Sequence, residues 1–179
     1  VIRRRIPYQT NKDLRNSINA GMISYHDVPL GQMPVWVKNN FLKHIDVAII
    51  EAAAIDENGN IIPTTSVGTS NIYAEYADKI IIEVNTYVPR CIEGIHDVYS
   101  PERPPHTQPI PITKVSDRVG TTYIKCDPAK VVAVVESNIP DNGRTVSPVD
   151  DEFRSMANNL IGFLHSEVEH GRLCNPLPP

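Results

Sequence analysis

Asp127-Pro128-Ala129-Lys130-Val131-Val132-Ala133-Val134-Val135-Glu136-Ser137 is the stretch on which the fold turns. An aspartate able to cap, a proline at the first helical position and a single turn feed a β-branched run with no polar alternation. Two other stretches share that character, residues 46–54 and 79–84. Strands apolar on both faces predict a mostly parallel sheet buried between two helix layers. The fold class is therefore α/β, a layered domain whose sheet is flanked by helices.

Around these strands the spacing alternates between helix and turn. Thr10 can cap a helix over residues 11–20, with Leu14 and Ile18 on one face and Gly21 as its stop. A short strand follows at residues 23–26, then a helix from Pro29 or Pro34 to about Asn40. Asp56-Glu57-Asn58-Gly59 is a turn, and Ser70 or Asn71 can cap a helix to Ala77. A last long helix is predicted from Ser147-Pro148 through Phe153, Met156, Leu160 and Phe163 to Gly171. Residues 87–122 form one long Pro-rich loop, and its apolar Ile110, Ile112 and Val119 predict that it packs down on the protein. A proline-rich recognition peptide is the rival reading.

Composition narrows the function classes. The chain has 179 residues, 41% hydrophobic and 21% charged, with a formal net charge of −4. That balance suits one domain, or a piece of one, and makes no electrostatic case for nucleic acid or an anionic membrane surface. No run approaches the roughly 20 apolar residues of a transmembrane span. Cys91, Cys126 and Cys174 are odd in number and widely spaced, so neither a disulfide framework nor a zinc site is expected, and a reducing intracellular compartment is. The chain opens on Val1 and closes on Asn175-Pro176-Leu177-Pro178-Pro179, a connector-like end, which reads as an internal fragment of a longer polypeptide.

The chemistry-bearing residues are sparse. The histidines at 26, 44, 96, 106, 165 and 170 show no metal-ligand spacing, and none is assigned a metal. His165 and His170 suit the C-terminal end of a helix, where the dipole favours positive charge. His96-Asp97 can be an oriented acid/base pair or a structural loop contact. Glu51 and Glu83 stand near the C-terminal ends of apolar strands, the edge where open α/β sheets bind ligands, although a salt-bridged structural glutamate is the favoured reading of either one alone. Ser66-Val67-Gly68 is a small-residue turn entering a helix, able to offer backbone N–H groups. The binding candidates are Ser66, Val67 and Gly68 together with Asn85, just past the end of its strand. No nucleophile–base arrangement can be assembled from spacing.

Several segments together resemble the acetyl-CoA hydrolase/transferase family, which includes succinyl-CoA:acetate and 4-hydroxybutyrate CoA-transferases. They are Arg3-Arg4-Arg5-Ile6-Pro7-Tyr8-Gln9-Thr10-Asn11, Asp46-Val47-Ala48-Ile49-Ile50-Glu51-Ala52, Ala77-Asp78-Lys79-Ile80-Ile81-Ile82-Glu83-Val84-Asn85, Pro109-Ile110-Pro111-Ile112, the opening stretch and His170-Gly171-Arg172-Leu173. The resemblance runs along essentially the whole chain, in the family's order.

It implies that residues 1–179 are most of one N-terminal CoA-transferase-like domain of an enzyme built from two related α/β domains. The enzyme would act on an acyl-CoA and a small carboxylate through a glutamyl-CoA thioester, with CoA as substrate and no cofactor. A homodimer in the cytoplasm is implied, with mitochondria as the alternative compartment. The family's catalytic glutamate lies C-terminal to everything matched here, so no catalytic residue is carried over. Glu51 and Glu83 fall at other family positions. The chain alone is expected to be inactive; the alternative is a non-catalytic assembly or binding domain.

Overall fold

The computed structural model describes residues 2–6, 11–141 and 146–174. The expected cap Thr10 and the Pro-rich end at 175–179 lie outside them. The chain divides into two compact units, Val1–Pro140 and Asp141–Pro179.

The first unit opens with strand β1 (Arg4–Arg5) and helix α1 (Lys12–Asn19). Asn11, extended, caps α1 by accepting from the N–H groups of Asp13 and Leu14 at 3.0 Å each. Gly21 ends it at φ 71°, donating to the Ile18 carbonyl while Met22 reaches back to Ser17. Strand β2 (Ser24–Tyr25) pairs parallel with β1. Pro29 then enters a single 3₁₀ turn, Leu30–Gln32, that runs into helix α2 (Met33–Lys38), with Pro34 in its first turn.

The main sheet holds β3 (Val47–Ile55), β4 (Ile61–Pro63), β5 (Lys79–Asn85) and β6 (Val131–Ser137) in the order β4-β3-β5-β6. β3, β5 and β6 are parallel, and β4 turns back antiparallel on β3. The mixed α/β class with a mostly parallel sheet is what the three apolar runs dictate. The β3–β4 hairpin is closed by Asp56, whose carboxylate takes the N–H groups of Asn58 and Asn60 and the Asn60 side-chain amide. That amide bond, reinforced by the backbone donors, holds the Asp56 carboxyl below its ordinary pKa. Helix α3 (Ser70–Tyr76) crosses from β4 to β5. Its N-cap is Thr69, with no side-chain cap bond, rather than Ser70 or Asn71. Before β6, Asp127 does cap a 3₁₀ turn, Pro128–Lys130, accepting from the Ala129 N–H at 2.9 Å.

Burial departs from expectation. One face of β3 and β5 is closed: Ala48, Ile50, Ala52, Ile80 and Ile82 join Ala74 and Ala77 of the α3 region, Ile61, Val98, Ile124 and Cys126 in one core. Burying each isoleucine contributes about 1.5–3 kcal/mol. The other face is open at Val47 and Ile49, and β6 exposes Val132, Val134 and Val135. The strand covered on both sides is β4, with Ile61 in the main core and Ile62 in a second cluster beside Ala53, Ala54 and Val88. Edge position does not decide this, since β4 and β6 both end the sheet among the described residues; β4 packs into both clusters and pairs with Ile124, whereas β6 presents its valines to solvent.

The long connector is anchored differently from the expectation as well. Ile110 and Ile112 are half exposed, and only Val119 is partly buried. The anchors are Val98, paired with Thr121, and Arg118, whose guanidinium donates to Asp97 at 2.6 Å and to the carbonyls of Gly94 and His96. Alternating prolines remove the N–H groups that would tie residues 109–112 down.

In the second unit, helix α4 (Asp151–Glu169) starts later than Ser147-Pro148. Asp150, extended, accepts from the Phe153 N–H at 2.8 Å, and Asp151 and Glu152 complement the N-terminal dipole, so the aspartate outcompetes the serine–proline pair. Gly171 stops the helix at φ 68°. His170 Nδ1 lies 2.6 Å from the Ser166 carbonyl, engaged with the helix end as its position suggested. Among the described residues no helix is long and apolar enough to cross a membrane.

Candidate functional site

The C-terminal edge of the parallel sheet gathers a polar group on an otherwise apolar frame. Glu51 of β3 and Glu83 of β5 are register partners, so the two carboxylates project from the same face. Glu51 Oε1 accepts from Asn85 Nδ2 at 2.8 Å, and Oε2 lies 3.3 Å from the Thr64 hydroxyl that donates to it. Thr64 is buried at the end of β4, while Glu51 itself is exposed. A carboxylate with two fixed donors retains lone pairs for a ligand's donor groups.

Asn85 is the last residue of β5 and is 2% exposed. Its side chain makes four hydrogen bonds: Nδ2 to Glu51 and to the Ile139 carbonyl at 2.8 Å each, Oδ1 from the N–H groups of Tyr87 and Ile139 at 3.1 Å each. The amide's full capacity is used. Asn85 thus ties the ends of β3, β5 and β6 together. Ser66 and Gly68 are exposed, Val67 packs against the main core, and Gly68 takes φ 54° as the turn closes from the Ser70 N–H to the Val67 carbonyl at 3.1 Å. That turn follows directly on Thr64, so chain connectivity links it to the Glu51 group.

His96 is buried, with Nε2 2.7 Å from the Thr64 carbonyl, whereas Asp97 binds Arg118. The two neighbours point to different partners and form no acid/base pair. Thr64 and the His96–Thr64 contact were not foreseen. Their sequence separation of 32 residues leaves no local signal for the pairing.

At the opposite, N-terminal edge, the turns before β3 and β5 bring His44, Asp46 and Asp78 together, with ligand atoms within 4.8 Å of one another. Histidine spacing alone gave no hint of this donor set, since two of its members are aspartates from adjacent strands. All three are exposed. His44 Nε2 lies 2.7 Å from Asp78 Oδ2; that hydrogen bond, with the charge of Asp78 behind it, raises the imidazole pKa above its usual value. A pKa raised on folding means that the pair favours the folded chain at low pH, and that contribution fades as pH rises through the raised value. An NMR titration should find His44 above an ordinary histidine and Asp78→Asn should return it toward one; an unchanged midpoint would refute the pairing. A separate cavity of about 460 Å³ lies between α3 and residues 98–130, lined by Ala74, Glu75, Val98, Tyr123, Lys125 and Lys130. Lys130 donates to the Glu75 carbonyl at 2.6 Å, which caps the end of α3.

Residues 1–136 match the acetyl-CoA hydrolase/transferase N-terminal domain. The chain is 44% identical over 179 residues to the succinyl-CoA:acetate CoA-transferase of Clostridium kluyveri, covering 100% of this chain and 33% of that protein. It is 43% identical over 185 residues to the acetyl-CoA hydrolase of Schizosaccharomyces pombe, covering 100% of this chain and 35% of that one. The acetyl-CoA hydrolase of Saccharomyces cerevisiae is 42% identical over 186 residues, with the same two shares. The chain spans about a third of the length of the curated relatives it matches. Among solved structures, two point variants of RipA superpose with TM-scores of 0.51 and 0.50 at 17% and 18% identity, covering 83% of this chain and 28% of theirs, a likeness of fold. By its match over residues 1–136, this chain belongs to the acetyl-CoA hydrolase/transferase family, in that family's N-terminal domain.

Proposed function

We propose that the chain is the N-terminal-domain portion of an acyl-CoA:carboxylate CoA-transferase or acetyl-CoA hydrolase. The observation that carries this reading is the match of the entire chain, end to end, to relatives bearing those two names. The reaction is covalent. A glutamate carboxylate attacks the acyl-CoA carbonyl, the C–S bond breaks and a mixed anhydride forms with release of CoA thiolate. The thiolate attacks the glutamyl carbonyl, the original acid leaves as its carboxylate, and glutamyl-CoA remains. A second carboxylate reverses the sequence to give a new acyl-CoA; water instead gives hydrolysis.

Neither Glu51 nor Glu83 is that nucleophile. Glu51 is held by Asn85 and Thr64 as a fixed acceptor, and the segment contributes a wall of the substrate site through Ser66, Val67, Gly68 and the Asn85-tied strand ends. CoA is substrate, with no further cofactor, and a cytoplasmic homodimer is the working assembly.

The test uses a polypeptide of the relatives' full length that carries this segment. Incubation with acetyl-CoA should give exchange of the acyl group with added carboxylate, or hydrolysis, and a hydroxylamine-sensitive CoA adduct on one glutamate by mass spectrometry. Absence of both turnover and adduct rejects the proposal. The 179-residue chain alone should show no turnover; robust exchange by it would place the nucleophile within these residues.

A further inference from the structure

The buried imidazole of His96 is used by nothing in the reaction above, yet it is joined to the candidate site. His96 is 8% exposed, and its Nε2 lies 2.7 Å from the carbonyl oxygen of Thr64. A carbonyl only accepts, so Nε2 must carry the proton, and in the neutral ring the tautomer is Nε2–H. The other nitrogen, Nδ1, is buried with no hydrogen-bond partner among the described residues. Asp97 does not serve it: an ionised carboxylate, like the unprotonated Nδ1, can only accept, and this one is bound by Arg118 Nε at 2.6 Å. Arg118 also donates to the His96 carbonyl at 2.8 Å and the Gly94 carbonyl at 3.0 Å, which fixes the backbone that carries the ring. The ring is therefore clamped from behind and makes one directed bond in front.

That bond sits at the head of a relay. Thr64 accepts the His96 Nε2–H bond at its carbonyl and donates its hydroxyl to Glu51 Oε2; Glu51 Oε1 accepts from Asn85 Nδ2, which also donates to the Ile139 carbonyl beyond β6. Thr64 also opens the segment that becomes the Ser66-Val67-Gly68 turn. We propose that His96 is a positioning residue: by donating from Nε2 to the Thr64 carbonyl, it sets the aim of the Thr64 hydroxyl on Glu51 and the placement of the turn at the sheet's C-terminal edge. This rests on the reading of that edge as substrate-facing.

Two conservative variants separate the ring's two nitrogens. His96→Gln retains a donor near the Nε2 position and loses the Nδ1 position; His96→Asn retains an atom near Nδ1 and cannot reach Thr64. In the full-length protein, His96→Asn and His96→Ala should lower kcat/KM for acyl exchange about 10²-fold, the loss expected of a misplacement near 1 Å. His96→Gln should stay within about threefold, a rescue that filling the space alone does not produce. If Gln falls as far as Ala, or Asn matches the wild type, the proposal is overturned; the Gln–Asn contrast stands even if Ala does not fold. A second arm needs no activity. Long-range ¹⁵N–¹H correlation on the 179-residue chain should show His96 as the Nε2–H tautomer, and an Nδ1–H pattern would overturn the inference. An unreactive wild type with the Nε2–H signature would count against the enzymatic reading while leaving the Thr64 bond in place.

Discussion

Gly120→Ala is expected to cost about 3–5 kcal/mol of stability, from left-handed backbone strain plus broken connector hydrogen bonds. Gly120 has φ +67°, and a Cβ built there would lie 1.9 Å from the Val98 carbonyl oxygen and 2.6 Å from its carbon. Those atoms are backbone and cannot swing aside as a side chain could. The contact arises because Val98 and Thr121 exchange hydrogen bonds, Val98 N–H to Thr121 at 2.7 Å and the reverse at 3.1 Å. Separating them draws Val98 out of the main core and disturbs Ile124, which pairs with Ile61 at the edge of β4. Urea unfolding followed by the fluorescence of Trp36, the chain's single tryptophan, measures the loss. Gly162→Ala within α4 is the contrast, with nothing within 4 Å of the new Cβ and an expected gain of up to about 1 kcal/mol in that helix. A Gly120→Ala loss below about 1 kcal/mol would rule out the close approach.

Asn85→Ala should cost about 1–3 kcal/mol: it removes a buried amide that makes four hydrogen bonds, each contributing roughly 0.5–1.5 kcal/mol, while water reaches the exposed Tyr87, Ile139 and Glu51 at their other ends. It leaves the Ile139 N–H and carbonyl, the Tyr87 N–H and Glu51 Oε1 without the partner that served all four. The same change releases Glu51, so in the full-length protein the KM for the acyl acceptor should rise, provided the variant is assayed well below its melting temperature. Unaltered stability would dismiss the network; unaltered KM in a folded variant would remove Asn85 from the site. The two measurements separate Asn85 as a structural tie from Asn85 as a site organiser.

Much of the frame was legible from short-range chemistry. The apolar runs became β3, β5 and β6, Asp127 capped its turn, and Gly21 and Gly171 ended their helices, since each depends on residues within a few positions. Before α4, Ser147 and Asp150 stand three residues apart as competing caps, and the direct bond from the Phe153 N–H to Asp150 decides between them. β6 is less buried than its composition suggests, because hydrophobicity states what a strand tolerates, while the layer packed on its face decides what covers it. Ile110 and Ile112, each next to proline, are half exposed for a related reason: an apolar residue in an irregular segment has no obligation to be inside.

By itself the sequence determined the α/β class, the parallel strands and the family, because periodicity, caps and long matched segments are properties of consecutive residues. The tertiary structure alone decided which polar groups meet. Asn85 joins Glu51 across 34 residues and Ile139 across 54, and His96 joins Thr64 across 32. Hydrogen bonds of that kind follow from strand order and register, which bring distant residues to one sheet edge, and no local pattern encodes them.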